Sequence, residues 1–368
     1  LASNEAKAKQ LALEAGFDLA GIASLSTPPP DLQKLDAWLQ AGYHASMAWL
    51  PKQRDKRLDP TLVLPGAKSM LCVALIYNTA RPYSTDPTPP LPSPQRRGEG
   101  GSELMDEEAN RGWGEVSRGE GGPELVDREA NGGRGEVWIS RYAAGDDYHA
   151  IMDAKLTTLE SALKAEFGPD LKTRRYSDTG PISEKAWAAA AGLGWVGKHT
   201  NLINQDKGSW FFLGEILLDL DLQADPLAPD LCGTCTRCLD ACPTQAFPQP
   251  GVLDAGKCLS YLSIEHKGPI PDEYHAAMGL NLYGCDICQD VCPWNKGRLI
   301  GPQSQPFEAR PGLAPVDLDA IEALDDAGFA ALFKGSAIKR AKRAGLQRNA
   351  AIVRKNLTQR SHPQAPRA

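Results

Sequence analysis

The sequence predicts an α/β (α+β) domain over residues 1–225, a small metal-cluster domain over 226–312 and a helical segment over 313–368. Three observations carry this. Helical patterns alternate with short apolar runs up to residue 80 and again from 138 to 225. Eight of the nine cysteines lie between Cys232 and Cys292. Beyond 313, apolar residues recur at helical spacing among many basic ones.

In chain order, the first element is a polar-faced helix at about 3–16, followed by a strand in FDLAGIAS and a helix around 31–41. The run SMLCVALIYN then reads as a buried strand, with Cys72 as a structural thiol inside it. Residues 83–135 break the pattern. They are rich in Pro and Gly, and RGEGGSELMDEEANRGWGEV at 97–116 returns as RGEGGPELVDREANGGRGEV at 118–137. Two copies without an apolar face cannot stack into a solenoid, so this stretch reads as an insertion with no core of its own. A long helix is expected from about 147 to 166. A turn, an Ala-rich helix and the Gly-rich loop GLGWVGK follow, and then one or two buried strands in GSWFFLGEILLDLDL.

Apolar content of 42% and charged content of 23% are ordinary for a globular chain, which at 368 residues buries a core without needing disulfides. The longest apolar run, 69–77, is too short for a bilayer. The first residues lack the apolar stretch of a signal peptide, so a cytoplasmic location is expected, where thiols stay reduced. Clustered cysteines are then metal ligands before they are disulfides. The net charge of −6 argues against a uniformly basic surface. Between Lys334 and Arg360, however, nine Lys and Arg stand with no Asp or Glu. Such a block suits either a solvated helix face or a bound polyanion.

The cysteine spacing is specific. Cys232-x2-Cys235-x2-Cys238-x3-Cys242-Pro is the bacterial ferredoxin pattern for a [4Fe–4S] cluster, whose fourth thiol ligates the other cluster in two-cluster proteins. A shorter copy, Cys285-x2-Cys288-x3-Cys292-Pro, follows, and Cys258 supplies an eighth thiol. The crossing rule gives Cys232, Cys235, Cys238 and Cys292 to one cluster, and Cys285, Cys288, Cys242 and Cys258 to the second. Zinc on paired C-x2-C motifs is the alternative, but it leaves the two x3-Cys-Pro endings unexplained. No G-x-G-x-x-G follows a strand, so a nicotinamide or flavin Rossmann site has no support.

The ordered motifs SRYAAGDDYH, SDTGPISEKAWAAAAGLGWVGKHTNLI, GSWFFLGEILLDLDL, CGTCTRCLDACPTQAF, CLSYLSIEHKGPIP and YGCDICQDVCPWNK resemble the epoxyqueuosine reductases. GSAIKRAKRAGLQRNAAI resembles that family's C-terminal segment, and only 83–135 departs from its pattern. The resemblance implies a cytoplasmic, monomeric enzyme with two [4Fe–4S] clusters and a base-off cobalamin, fed by an external low-potential electron donor. It would reduce the epoxide of epoxyqueuosine at the tRNA wobble position to queuosine. The fold implied is a cobalamin-binding α/β domain, a ferredoxin-like domain and a HEAT-like helical segment without a longer repeat extension.

By the same resemblance Asp178 is the proton donor, a role that requires burial to raise its pKa toward neutrality. Asp147 is the competing carboxylate, and a turn residue is the plain alternative for Asp178. Cobalamin contacts carry over to Arg57, Leu202, Leu213 and Leu259, besides Asp178. The basic block becomes a tRNA-backbone site at Lys339, Arg340, Lys342, Arg343 and Arg348, with His266 and Lys267 facing the same RNA. A corrinoid reductase of a small molecule, similar to the reductive dehalogenases, is the alternative enzyme. A bare electron carrier is the non-enzymatic one.

Overall fold

A computed structural model describes residues 2–85, 136–296, 300–302 and 304–361. The strands in chain order are β1 (Leu19–Ser24), β2 (Ser69–Ile76), β3 (Trp138–Ile139), β4 (Thr173–Tyr176), β5 (Trp195–Val196), β6 (Leu202–Ile203), β7 (Phe211–Leu218) and β8 (Asn281–Tyr283). Four of them form the main sheet in the order β1-β2-β7-β4, antiparallel throughout. GSWFFLGEILLDLDL therefore supplies one strand, and the β4 partner TRRY was not expected.

Every residue of β2 is buried, because helices cover both faces of the sheet. Side chains alternate across a strand. Leu71, Val73 and Leu75 meet Ala8 and Ala12 of α1 (Asn4–Glu14) and Met152, Leu156 and Leu159 of α2 (Tyr148–Phe167). Met70, Cys72 and Ala74 point the other way, against Ala186, Trp187 and Ala188 of α3 (Glu184–Ala190). Cys72 is buried there, as its apolar run suggested.

A separate core joins Ile139, Ala143 and Ala144 to Leu259, Leu262, Leu280 and Leu282, and to Phe333, Ile338, Leu346 and Val353. The last two belong to α4 (Lys342–Ser361), and β3 pairs in parallel with β8 inside this core. Asn349 ties it together: its buried amide donates to the carbonyls of Ser263 and Leu282 at 2.8 and 2.9 Å. The helical segment thus packs directly on the thiol-bearing region.

Residues 86–135, which hold the repeats, lie outside the described residues. Two residues just before that stretch are anchored. The Tyr83 hydroxyl donates to the Asn295 carbonyl at 2.6 Å, and the Ser84 amide donates to Asp290 at 2.8 Å. Among the described residues no helix is long and apolar enough to cross a membrane.

Candidate functional site

The thiols fall into two sets. Cys232, Cys235, Cys238 and Cys292 together line a cavity of about 280 Å³ with Lys198, His199, Ile203, Leu231, Pro293 and Trp294. Cys292, fifty-four positions from Cys238, comes from the distant motif, as the crossing rule requires. Cys285 and Cys288 stand within electrostatic reach of Cys258, and Cys288 also feels Cys242. Loop contacts hold the sulfurs. The Trp195 indole N–H donates to Cys232 Sγ at 3.4 Å, and the Ala246 amide donates to Cys242 Sγ at 3.3 Å. Lys198 Nζ clamps the first loop through the carbonyls of Gly233 and Cys235, at 2.7 and 2.9 Å. Four soft thiols around one cavity are the donor set that an iron–sulfur cubane takes.

A cluster of polar side chains lies within electrostatic reach of the second set through Lys185. Asp178 sits in the turn after β4 with φ +61°, a left-handed conformation uncommon for a non-glycine residue. Two contacts hold that turn: Ser177 Oγ donates to the Leu213 carbonyl at 2.7 Å, and the Asp178 amide donates to Glu184 Oε1. The Asp178 carboxylate meets His149 Nε2 at 3.1 Å, and Asp147 Oδ1 meets His149 Nδ1 at 2.7 Å. Asp147 also caps α2 by accepting from the His149 amide. Asp147, the competing carboxylate, is therefore placed to orient the imidazole.

The expectation that burial raises the Asp178 pKa is not met. Its side chain is 57% exposed, and the hydrogen bond from His149 holds its carboxyl below the ordinary value, with the charge on His149 and the Tyr148 hydroxyl adding to this. His149 is pushed up to about 9, first by Asp178 and then by Asp147, against the opposing effect of burial. Near neutrality the mobile proton thus sits on the imidazole, hydrogen-bonded to the carboxylate. Beneath the turn, burial and then the charge of Asp178 push Glu184 up to about 7. Burial, followed by Glu184 and Asp178, raises Glu215 well above the carboxylate range.

Arg57 donates through Nη1 to the Ile182 carbonyl at 2.8 Å, while its buried Nε has no partner among the described residues. Leu202 and Leu259 are buried and Leu213 is half-buried. Lys185 connects the two regions: the charges of Cys288, Glu184, Cys258 and Asp178 all act on it, yet solvent reaches it. Lys185 is thus within electrostatic reach of both the second thiol set and Asp178.

The basic block is less free than its sequence suggests. Arg340 forks onto Glu265 at 2.7 and 2.9 Å and lies over the exposed Trp49 ring, 5.4 Å from its centroid. Arg343 pairs with Asp326, and Arg354 with Asp319 and Glu322. Arg348 has a structural job instead of the expected contact with RNA. Its guanidinium donates to the carbonyls of Leu262, His266 and Gly268 and to Asn349 Oδ1, which engages all five N–H groups. His266 Nε2 lies 2.9 Å from the Pro269 carbonyl, and Lys267 is exposed. Lys339 and Lys342 are exposed and make no ion pair among the described residues.

His149, Glu184, Glu215, Lys185 and Trp49 are the residues that sequence reasoning missed. The D-Y-H run after DDYH's first acid was a usable signal for His149, since an Asp at a helix start two residues before a His is placed to bond its ring.

Two sets of four thiols, with an Asp–His–Asp proton-bearing run beside one of them, have the make-up of an iron–sulfur oxidoreductase. Residues 231–295 match the family model described as a 4Fe-4S double cluster binding domain, and residues 123–179 match that described as Epoxyqueuosine reductase QueG, DUF1730. The epoxyqueuosine reductase of Cyclobacterium marinum is 38% identical over 349 residues, covering 94% of this chain and 95% of its own. That of Gloeobacter violaceus is 39% identical over 355 residues, covering 95% of each. Among solved structures, an epoxyqueuosine reductase with an epoxyqueuosine-modified tRNA-Tyr stem loop superposes with a TM-score of 0.74 at 28% identity, covering 96% of this chain and 81% of that one. The Bacillus subtilis enzyme, described with an aspartate-bearing catalytic loop swung out of its active site, gives 0.72 at 28% identity over 98% and 85%. This chain belongs to the epoxyqueuosine reductase family, and is an oxidoreductase of queuosine biosynthesis with a double [4Fe–4S] domain.

Proposed function

We propose that the chain reduces the epoxide of epoxyqueuosine within a tRNA anticodon stem-loop, using a base-off cobalamin, with Asp178 as the proton donor. The observation that carries this is the hydrogen-bonded run Asp147–His149–Asp178, open to solvent at Asp178 and linked through Lys185 to the charges of the second thiol set. Converting an epoxide to an alkene consumes two electrons and two protons and releases the oxygen as water. A corrin held there would supply low-valent cobalt as the reductant for the epoxide. The thiol sets Cys232, Cys235, Cys238, Cys292 and Cys285, Cys288, Cys242, Cys258 hold the clusters that relay single electrons from an external low-potential donor.

The residues expected to contact the cofactor fit a corrin. The unpartnered Arg57 Nε is a donor awaiting an acceptor. Leu202, Leu213 and Leu259 would serve as apolar and backbone contacts, Leu259 following directly on Cys258. As the epoxide oxygen gains charge, the proton held on His149 passes to Asp178 and from its carboxyl to that oxygen, with Asp147 keeping the ring in line. The general acid typically contributes about 10²–10⁴ in rate.

Lys339 and Lys342, with Arg340, Arg343 and His266 beside them, would meet the RNA phosphates, giving affinity rather than base choice. The exposed Trp49 under Arg340 offers a ring for a splayed base. On this reading the chain is a cytoplasmic monomer. Its cobalamin-binding part is 1–225, its ferredoxin-like part 226–312 and its HEAT-like tRNA-binding part 313–368, boundaries that follow chemistry and not separate cores.

Protein reconstituted anaerobically with iron, sulfide and cobalamin is expected to remove one oxygen from an epoxyqueuosine stem loop, read by nucleoside mass spectrometry. Protein holding both clusters and the corrin that leaves the nucleoside unchanged would sink the reading and favour a small-molecule corrinoid reductase.

A further inference from the structure

The hairpin of β5 and β6 turns three side chains toward the first thiol set: Trp195, Lys198 and His199. Two of them have visible partners there, since Trp195 donates to Cys232 Sγ and Lys198 to the loop carbonyls. The third does not. His199 is only 2% exposed, and its Nδ1 accepts from the Asn201 amide at 3.2 Å. An accepting Nδ1 places the ring proton of the neutral imidazole on Nε2. That Nε2 is buried and has no partner among the described residues, although His199 lines the same cavity as Cys232, Cys235, Cys238 and Cys292. Buried N–H donors are rarely left unpaired, so this one points to an acceptor that belongs in the cavity.

We propose that His199 Nε2–H donates to the [4Fe–4S] cluster held by Cys232, Cys235, Cys238 and Cys292 and, together with Trp195, sets that cluster's reduction potential. Taking up an electron makes the cluster more negative, so a donor aimed at its sulfurs favours the reduced form and raises the potential. The hairpin would thereby make this cluster the easier of the two to reduce. His199 acts here as a tuning residue and touches no substrate. The inference rests on the ligand set proposed above.

The test is an EPR-monitored redox titration of the reconstituted full chain. Trp195→Phe removes the indole donor to Cys232 and so marks which wave belongs to this cluster. His199→Phe is expected to move the same wave to lower potential, by about 59 mV if the reduction equilibrium shifts tenfold. The other wave stays in place, and His199→Gln, which keeps an N–H donor, recovers most of the shift. An iron-replete His199→Phe protein with both waves at wild-type positions would overturn the proposal, as would movement of the other wave alone. If the variants fail to hold iron, wild type labelled with 15N-histidine is examined by pulsed EPR. A nitrogen coupling to the reduced cluster marked by Trp195→Phe in iron content or potential supports the assignment, and its absence overturns it. A wild-type chain that takes up iron for fewer than two clusters would refute the ligand set itself, which iron analysis reports independently of any potential.

Discussion

The thiol region and the Asp178 cluster are assembled in opposite ways. Four of the eight clustered thiols fall within eleven consecutive residues, Cys232 to Cys242, and local spacing alone announces what they bind. The groups around Asp178 come from five separate stretches: Arg57, Asp147–His149, Asp178–Glu184, Glu215 and Arg340. The β4–β7 register sets Tyr176 opposite Glu215, and elements packed from elsewhere in the chain supply the rest. A metal site built on a short loop is legible from sequence. A proton-transfer site built by topology is not.

The largest expected effect probes the exception within the legible region, where one ligand is remote. Cys292→Ser should lose the iron of one cluster and abolish turnover, because Cys292 completes the cavity of the first motif despite sitting in the second. Iron and sulfide analysis checks this, and a chain that keeps full iron would break the crossing assignment. Next comes the frame that the two regions share. Trp187 is wholly buried between α3 and the sheet, so Trp187→Ala should cost about 3–5 kcal/mol in denaturant unfolding.

A finer probe is pH. The folded His149 pKa of about 9 lies above its ordinary 6.5, so the pair's contribution is complete below 6.5 and lost as pH rises through about 9. Asp178 is depressed below 3.8, so its contribution is present above that value and lost as pH falls through the lower one. Ring NMR should place the His149 titration near 9 in wild type and well below it, toward 6.5, in Asp178→Asn. The smallest effect is expected at the basic face. Lys339→Ala with Lys342→Ala should raise KM for the stem loop and lower the salt slope of binding by about 1 per lysine, with kcat unchanged. Arg348→Ala should instead lower stability, since its donors hold three carbonyls of the fold.

These contrasts also show where sequence reading stopped. The helices and the buried strand β2 were legible because apolar periodicity is local. The edge strand TRRY was not, since its residues are half-exposed and polar. The stretch from Lys334 to Arg360 looked like free positive charge, yet Glu265, Asp319, Glu322 and Asp326 neutralise three of its arginines from elsewhere in the chain. Asp178 was singled out by family resemblance, but the direction of its pKa shift depended on His149, which no spacing rule connects to it.

The most direct measurement is single-turnover reduction of an epoxyqueuosine stem loop by wild type, Asp178→Asn and His149→Gln, each holding both clusters and the corrin. The expected result is a fall of about 10²–10⁴ in rate for Asp178→Asn and a smaller fall for His149→Gln. For His149→Gln the high-pH limb should also move away from 9. Wild-type rates in Asp178→Asn would contradict the central claim that this carboxylate hands the proton to the departing oxygen.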